Sequence, residues 1–417
     1  MVISKKKFNV GFFVLVSVFS IFILKIFNIS ERNSNFSTLL PCEKIQCAQG
    51  FICSNPSLTS SKKFYKCAFL LENVTDKNEK AFYEAKGQIF VLIPRKIVEA
   101  HYPKKLYSVQ SSDVIVENGA NIKFSVNVLN EDEKLFIADN AQFLGWKNKI
   151  SYFRGNARLN FKRLLSTWGS AGGFLLALLS GSREYTEDSI SQFFALAGLS
   201  HVLALSGMHV SIFSCTTEKL FKNICGKKVT SVISLCSVIL FVWFAGLSPS
   251  LSRALISSLL IFFTSFFCIK TDSLNLLALT FLIQIMIFPA DFFSVSFILS
   301  YLSLCGILCL SKFFSYHFAR FSGRTIGSSL ASSTSAILFT SPVCVKIFGY
   351  ICPIGIISTM IISPLVTWFL IIGIFCVIFS LIFPAISSPL GTILQILYYV
   401  IKCVSGFFAK FPPIYFS

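Results

Sequence analysis

Long apolar runs dominate the sequence after residue 192, and they constrain the fold more than any other feature. A membrane-spanning helix needs about 20 consecutive, mostly apolar residues, a length that soluble cores rarely require. Eight such stretches follow one another, at residues 193–217, 229–247, 252–269, 274–290, 292–311, 326–347, 353–383 and 386–409. The chain is therefore predicted to be a polytopic α-helical membrane protein.

A ninth span is predicted at the N-terminus, where Lys5, Lys6 and Lys7 precede an apolar run over residues 8–24. No small-x-small cleavage site follows this run, so an uncleaved anchor over residues 1–27 is preferred to a cleaved signal peptide. With about nine spans, a chain that is 54% hydrophobic and only 13% charged is not an ordinary soluble protein.

The lysines and arginines between the runs predict the orientation. Basic loops stay cytoplasmic, and these are the loops over 219–228, 270 and 312–324. The loops at 247–251 and 288–291 carry no Lys or Arg and are predicted outside. The N-terminus is then cytoplasmic, whereas residues 28–150 and, with an odd number of spans, the C-terminus are exoplasmic.

Four cysteines crowd the exported segment 28–67, and their spacing favours disulfides over a zinc site. They are Cys42, Cys47, Cys53 and Cys67. No C-x-x-C pair occurs, although zinc sites prefer such close pairs. Two disulfides are expected if the compartment is oxidising, and four independent free thiols are the alternative.

Residues 68–150 predict a small exported β-domain. Alternating apolar and polar residues indicate strands at 88–93, 113–117, 122–128 and 134–138. A five- or six-stranded, OB-like barrel is one architecture of this size. Basic residues are spread through it, among them Arg95, Lys96, Lys123, Lys147 and Lys149. They indicate either a nucleic-acid-binding face or a solvated basic surface.

The connector at 151–192 begins with a basic and aromatic stretch, residues 154–168. A membrane interface accepts such a stretch as an amphipathic helix whose Arg and Lys side chains extend to the lipid headgroups. The connector is therefore predicted to contact membrane lipid.

The densest polar cluster in an apolar context is GLSHVLALSGMHV at residues 198–210, with Ser200, His201, Ser206, Gly207 and His209. On one continuous helix the two histidines lie about 80° apart and share a broad face. Polar and ionisable residues in a span usually face a partner, a cavity or a pathway. A channel or gating role is preferred to interhelical hydrogen bonding and to catalysis or metal binding.

Arg253 is a second charge inside an apolar region, and it follows a turn that contains Ser250. Its side chain either extends to the outer interface or meets a passing phosphate. Asp291, Glu184 and Asp188 are plausible counter-charges. Prolines in or beside the spans predict interrupted helices, which favour a transporter or channel over a passive anchor.

Enzymatic activity is not expected. The ALSG sequence at 204–207 approximates the Gly-x-Ser-Gly of intramembrane serine proteases, but the four histidines offer no base on another span. Neither a G-x-x-x-x-G-K-[ST] phosphate loop nor an H-x-H-x-D-H metal-hydrolase run occurs. No cofactor or metal site is predicted.

Three ordered segments resemble the ComEC competence family. They are LLALLSG (175–181) with GLSHVLALSGMHV (198–210), FAGLSPSLSRA (244–254), and FILSYLSLCG (297–306), which contains Ser300. The resemblance implies that residues 193–417 form an inner-membrane channel for single-stranded DNA uptake in natural transformation. It also implies an external OB-like domain, a cytoplasmic ATP-driven helicase and an exported DNA receptor, and it allows a homo-oligomer and a separately encoded nuclease.

The chain departs from the family pattern at several points. Ile298 replaces the usual Gln of its helix motif, and Thr359 replaces a common Asn. The sequence ends at Ser417, which predicts a short form without the external metallo-β-lactamase-like domain. A transporter of another anionic polymer or of a lipid-linked precursor is the alternative function.

Overall fold

The computed structural model describes residues 37–38, 45–59, 61–76, 82–100, 114–130 and 135–416. The predicted anchor at 1–27 and Cys42 lie outside these residues. The described residues of the chain divide into a barrel unit, which lies within residues 31–177 and 182–185, and a helical unit, which comprises residues 178–181 and 186–416.

Five strands of the barrel unit form a closed ring: β2 (Ile45–Ile52), β4 (Phe64–Asp76), β6 (Gln88–Pro94), β7 (Ala120–Asn130) and β8 (Leu135–Trp146). Strand β4 pairs antiparallel with β2 and β6, and β7 pairs antiparallel with β2 and β8. Strands β6 and β8 run parallel and close the ring. The short strands β1 (Ser37–Thr38), β3 (Ser57–Leu58) and β5 (Phe82–Lys86) pair outside it, and helix α1 (Arg95–Ala100) follows β6.

Apolar alternation located part of this barrel correctly. Strands β6 and β7 confirm the predictions at 88–93 and 122–128, and β8 extends the one at 134–138 to Trp146. The strand expected at 113–117 is wrong for its described residues, because 114–117 lie buried in a non-strand segment. Strand β2 and the start of β4 fall in the segment 28–67, so its described residues are part of the barrel and not a separate module.

The three described cysteines of that segment do not pair with one another. Cys67 is buried in the barrel core opposite Val91, whereas Cys53 is exposed. Cys47 lies near the start of β2, opposite Thr75 of β4 and Ser125 of β7. Two disulfides among four cysteines require at least one bridge among these three, and all three are free. The disulfide prediction is therefore not supported.

Helix α2 (Lys149–Ser166) packs its basic residues into the barrel unit. Arg158 Nε lies 2.9 Å from Glu117 Oε2, and Lys162 Nζ lies 2.6 Å from Glu117 Oε1 and 2.8 Å from Glu184 Oε1. The expectation that these cations extend to headgroups is wrong for Arg158 and Lys162, because carboxylates meet them in the interior. Glu184 therefore pairs with Lys162 and not with Arg253.

This ion network shifts the ionisation of its members. Burial raises the pKa of Glu117, but Lys162 and Arg158 outweigh burial and hold that pKa at about 2. Burial also opposes the charge on Lys162, but the two carboxylates outweigh it and raise the pKa of Lys162. Both groups are therefore charged at neutral pH.

The helical unit contains a series of helices that begins where α3 (Gly169–Ser180) leaves the barrel unit. They are α4 (Asp188–Leu196), α5 (Ser200–Leu203), α6 (Gly207–Phe221), α7 (Lys227–Ala245), α8 (Pro249–Phe266), α9 (Ser273–Ile287), α10 (Val295–Ser322), α11 (Arg324–Phe348), α12 (Gly355–Ile382) and α13 (Ser387–Phe408). A short hairpin pairs β9 (Tyr350–Ile351) with β10 (Ile414–Tyr415).

Six of these helices, α7, α8 and α10 to α13, are long and apolar enough to cross a membrane among the residues that the structure describes. The run at 274–290 contains the shorter apolar helix α9. The run at 193–217 is divided among α4, α5 and α6. The chain is thus a polytopic, multi-pass membrane protein, and the count of nine spans stays a prediction.

Prolines do not interrupt the long helices as expected. Pro342 lies within the continuous α11, and Pro364 lies within α12. Pro249 occupies the first turn of α8, where a missing backbone N–H costs nothing. Close packing instead depends on small residues. Gly306 of α10 lies so near Ser335 of α11 that a Cβ would be 2.5 Å from its carbonyl oxygen.

Candidate functional site

The polar sequence at 198–210 forms a break between two helices. Helix α5 ends at Leu203, and α6 begins at Gly207. The prediction of one helix through both histidines is therefore wrong. Ser200 and His201 lie exposed on α5, whereas His209 lies on α6 and is 0% exposed.

His209 closes the first turn of α6. Its Nδ1 accepts a hydrogen bond from the backbone N–H of Ser206 at 3.2 Å, and the Ser206 hydroxyl lies at the same distance. This arrangement is a capping box with an imidazole in place of the usual Glu or Gln. Because Nδ1 accepts, Nε2 carries the proton of the neutral ring. Nε2 is buried and has no hydrogen-bond partner in the described part of the chain.

Arg253 lies at the start of the second turn of α8 and is buried. Its guanidinium carbon is 5.9 Å from the centroid of the Tyr301 ring. A Cβ at Gly207 would lie 3.0 Å from a guanidinium nitrogen, so the glycine lets α6 approach this charge. Among the described carboxylates none forms an ion pair with Arg253, and its buried Nε has no hydrogen-bond partner there. The expected counter-charge is thus not observed.

Gln284 of α9 connects this region to three other elements. It is 0% exposed, and its Nε2 donates to Pro249 O and to Asp291 Oδ2, each at 2.9 Å. Its Oε1 accepts from Tyr301 Oη at 2.9 Å. The amide therefore joins the first residue of α8 and the second turn of α10 with the turn before α10. Asp291 bonds to this amide and does not pair with Arg253.

Ser250 ties the break to α8, because its hydroxyl donates to Leu205 O at 2.6 Å. The structure thus brings together one set of side chains from four helices and the turn before α10. We call this set the polar cluster: Ser206, Gly207, His209, Ser250, Arg253, Gln284, Asp291 and Tyr301. No described contact links the predicted residues Ser200, His201 or Ser300 to it.

A second polar contact lies elsewhere in the helical unit. Lys402 of α13 forms an ion pair with Glu187, which precedes α4, and Ser189 donates to the same carboxylate at 3.1 Å. This pair ties two helices that are distant in sequence.

The basic residues predicted to bind nucleic acid gather at one end of the barrel. Strands β6 and β8 are parallel, so their carboxyl ends meet at the same end. Arg95 and Lys96 follow β6 directly, and Lys147 and Lys149 follow β8. Lys147 Nζ lies 5.6 Å from the Phe51 ring, near the end of β2. Lys123 lies on β7 close to the same end.

Comparison with known proteins places the helical unit in a family. A family model described as "Competence protein" matches residues 178–416. The chain belongs to the competence protein family. ComE operon protein 3 of Bacillus subtilis (strain 168) is 26% identical over 205 residues, 48% of this chain and 25% of that protein.

A second relative of this chain is an "Uncharacterized protein" of Aquifex aeolicus (strain VF5). It is 26% identical over 241 residues, which are 57% of this chain and 54% of that protein. The chain thus spans about half the length of one curated relative and a quarter of the other. No solved structure matches it.

The competence family match contains the whole polar cluster and begins after the barrel strands and α2. Its start at residue 178 coincides with the beginning of the helical unit. The polar cluster therefore lies within the part of the chain that the family model matches.

Sequence reasoning missed Gln284, Tyr301 and Lys402. Gln284 is an amide inside an otherwise apolar helix, and Lys402 is a lone lysine in the run at 386–409. Both residues could have been predicted to have polar partners, because a polar or charged side chain is costly in a span without one. Tyr301 gave a weaker signal, since tyrosines are common in apolar helices.

Proposed function

We propose that this competence family protein forms an inner-membrane channel that takes up single-stranded DNA in natural transformation. The observation that carries the proposal is Arg253, a buried cation without a described carboxylate partner in the region that the family model matches. A charge in such a place is costly unless it meets an opposite charge. A passing phosphodiester would supply one.

The proposed mechanism is electrostatic and includes no covalent step. The guanidinium of Arg253 and the free N–H of His209 Nε2 would donate to phosphate oxygens as the strand moves past. Charge-assisted bonds of this kind are strong but are replaced at each phosphate. Gln284 and Tyr301 would position Arg253 by holding α8 and α10 together. Nothing in this route hydrolyses nucleotide, so a cytoplasmic ATP-driven helicase would pull the strand.

The Ser206 and His209 pair also bears on the alternative of a membrane enzyme. A serine nucleophile needs a base that a third group orients. Here the nitrogen next to the hydroxyl also accepts a backbone N–H, and Nε2 has no described partner. This geometry favours a helix cap over a hydrolase.

The barrel would receive the strand outside the membrane. Its closed five-strand order, with one parallel pair and a helix after the third strand, agrees with an OB-like barrel. Arg95, Lys96, Lys147 and Lys149 at one end, with Lys123 nearby, would meet phosphates and add salt-dependent affinity. An exported receptor would deliver the strand to this end.

The proposed location is the bacterial cytoplasmic membrane, with residues 28–150 and the C-terminus outside. Basic residues flank alternate connections, at α6–α7, α8–α9 and α10–α11, which supports this orientation. A homo-oligomer and a separately encoded nuclease are compatible with it.

Transformation with labelled DNA tests the proposal. A deletion strain should bring no labelled strand into the cytoplasm, and uptake at the wild-type rate would refute it. Arg253→Gln should reduce uptake at least tenfold, a loss of about 1.4 kcal/mol of phosphate binding, whereas Arg253→Lys keeps the charge and part of the rate.

A transporter of another anionic polymer or of a lipid-linked precursor is the second candidate. Arg253 favours it equally, because any phosphate diester would bind there. That function predicts an envelope defect in the deletion strain together with normal DNA uptake.

A further inference from the structure

Helix α2 buries Arg158 and Lys162 in the barrel unit, whereas the apolar residues of its first turns, Ile150 and Phe153, point outwards. The large apolar residues of its second half are buried: Leu159, Phe161, Leu164 and Leu165. Arg158 and Lys162 are 2% and 3% exposed, whereas Ile150 and Phe153 are 66% and 65% exposed. Ile150, Phe153 and the exposed Ala157 recur at i, i+3 and i+7, which places them on one helical face. A helix on a soluble surface has the opposite arrangement.

The buried side of α2 prevents the helix from rolling to cover this face. Lys162 is held between Glu117 and Glu184, and Arg158 is held by Glu117. Gly155 lies so close to the Trp146 ring that a Cβ would be 1.8 Å from it. Rolling the helix would expose the carboxylates without their cations, so the apolar face stays outward.

Aromatic and basic side chains surround the apolar residues. Tyr152 is exposed and meets the Trp146 and Phe153 rings edge to face, at 6.4 and 5.5 Å between centroids. Lys147 and Lys149 are exposed just before and within the first turn. We call this surface the outer face of α2: Lys147, Lys149, Ile150, Tyr152, Phe153 and Ala157.

We propose that the outer face binds the surface of a lipid bilayer, with its apolar residues inserted at the boundary of headgroups and acyl chains. Tyrosine rings and apolar side chains are typical of that depth, and the two lysines complement anionic headgroups. Single-stranded DNA would instead need a row of rings for its bases. Ile150 and Ala157 offer no ring but fit acyl chains well.

The same chain contains the helices that would anchor it in a membrane. Six candidate spans follow α2 in sequence, so the barrel unit is tethered to a bilayer. The proposed contact does not involve Arg253, Arg95 or Lys96. It shares Lys147 and Lys149 with the basic end of the barrel, but insertion of its apolar residues does not depend on DNA uptake.

Photo-crosslinking of the full-length protein tests this surface. The protein would carry p-benzoylphenylalanine at Phe153, or at Phe90 as a matched control, in vesicles of phosphatidylethanolamine and phosphatidylglycerol. Phe90 is also exposed, but it lies on β6 beneath Lys66 and outside the outer face. Mass spectrometry would identify lipid adducts after illumination.

We expect a lipid adduct at position 153 that exceeds the one at position 90 severalfold. Ile150→Glu should lower the adduct at 153 severalfold while the barrel keeps its protease resistance. Equal adducts at both positions, or none at 153, would overturn the proposal. So would transfer of the crosslink at 153 from lipid to an added single-stranded oligonucleotide.

Discussion

Arg158 Nε lies 2.9 Å from Glu117 Oε2, and both side chains are almost completely buried. The carboxylate reaches Lys162 as well, so one acid compensates two cations of α2. Arg158 and Glu117 are separated by 41 residues in sequence, and their pairing fixes the helix against the loop before β7.

Replacing Glu117 should destabilise the barrel unit strongly. Glu117→Gln leaves two buried cations without their shared partner, and breaking a buried pair costs about 3–5 kcal/mol. Limited proteolysis of the full-length protein during heating would measure the loss. The control is Glu84→Gln in the exposed pair with Lys86, which should cost at most about 1 kcal/mol. Equal effects of the two changes would contradict the network's role.

The same network predicts an acid limit to stability. The pKa of Glu117 is about 2 in the folded chain against an ordinary value of 4.5, so its contribution is full above pH 4.5 and declines as the pH falls towards 2. Lys162 has a raised pKa, so its contribution is full below its ordinary value of 10.5 and is lost only at more alkaline pH. Barrel unfolding followed against pH should show this loss in acid, and Glu117→Gln should remove it. An unchanged acid dependence in that variant would assign it to other groups.

The sequence predicted the local elements of the barrel unit but not the contacts between residues that are distant along the chain. Alternation in residues 88–93 and 122–128 identified β6 and β7, because one face of each strand is buried. The pattern of α2 indicated an amphipathic helix, but it could not tell which face is buried. That choice depends on Glu117 and Glu184, which come from separate segments.

The polar cluster shows the same division. Ser206, Gly207, His209, Ser250 and Arg253 stood out as polar or small residues in apolar runs, and the structure gathers them. The break between α5 and α6 was not foreseen, because the apolar run continues through it. The role of Gln284 could not be predicted, because its partners Pro249 and Tyr301 are close to it in space but distant in sequence.

Gln284 and Tyr301 should be energetically coupled. The hydrogen bond between Gln284 Oε1 and Tyr301 Oη is buried, and such bonds between membrane helices contribute about 0.6 kcal/mol, with a maximum of about 1.7. A double-mutant cycle with Gln284→Leu and Tyr301→Phe would measure this by thermal unfolding in detergent. Strictly additive effects of the two changes would show that the bond contributes nothing.

Ser206 should act as a helix cap and not as a nucleophile. Ser206→Ala is expected to cost about 1 kcal/mol of stability and to leave DNA uptake within a fewfold of wild type. Ser211→Ala, on the exposed side of the same helix, is the matched control. Complete loss of uptake by Ser206→Ala in a folded protein would favour an enzymatic role.

Photo-crosslinking during uptake tests whether DNA passes along the polar cluster. A benzoylphenylalanine at Met208, between Gly207 and His209, would be illuminated while labelled DNA enters transformable cells. We expect a DNA adduct at this position and none at Phe263, an exposed residue of α8. Active uptake without any adduct at position 208, or with equal adducts at both positions, would contradict it.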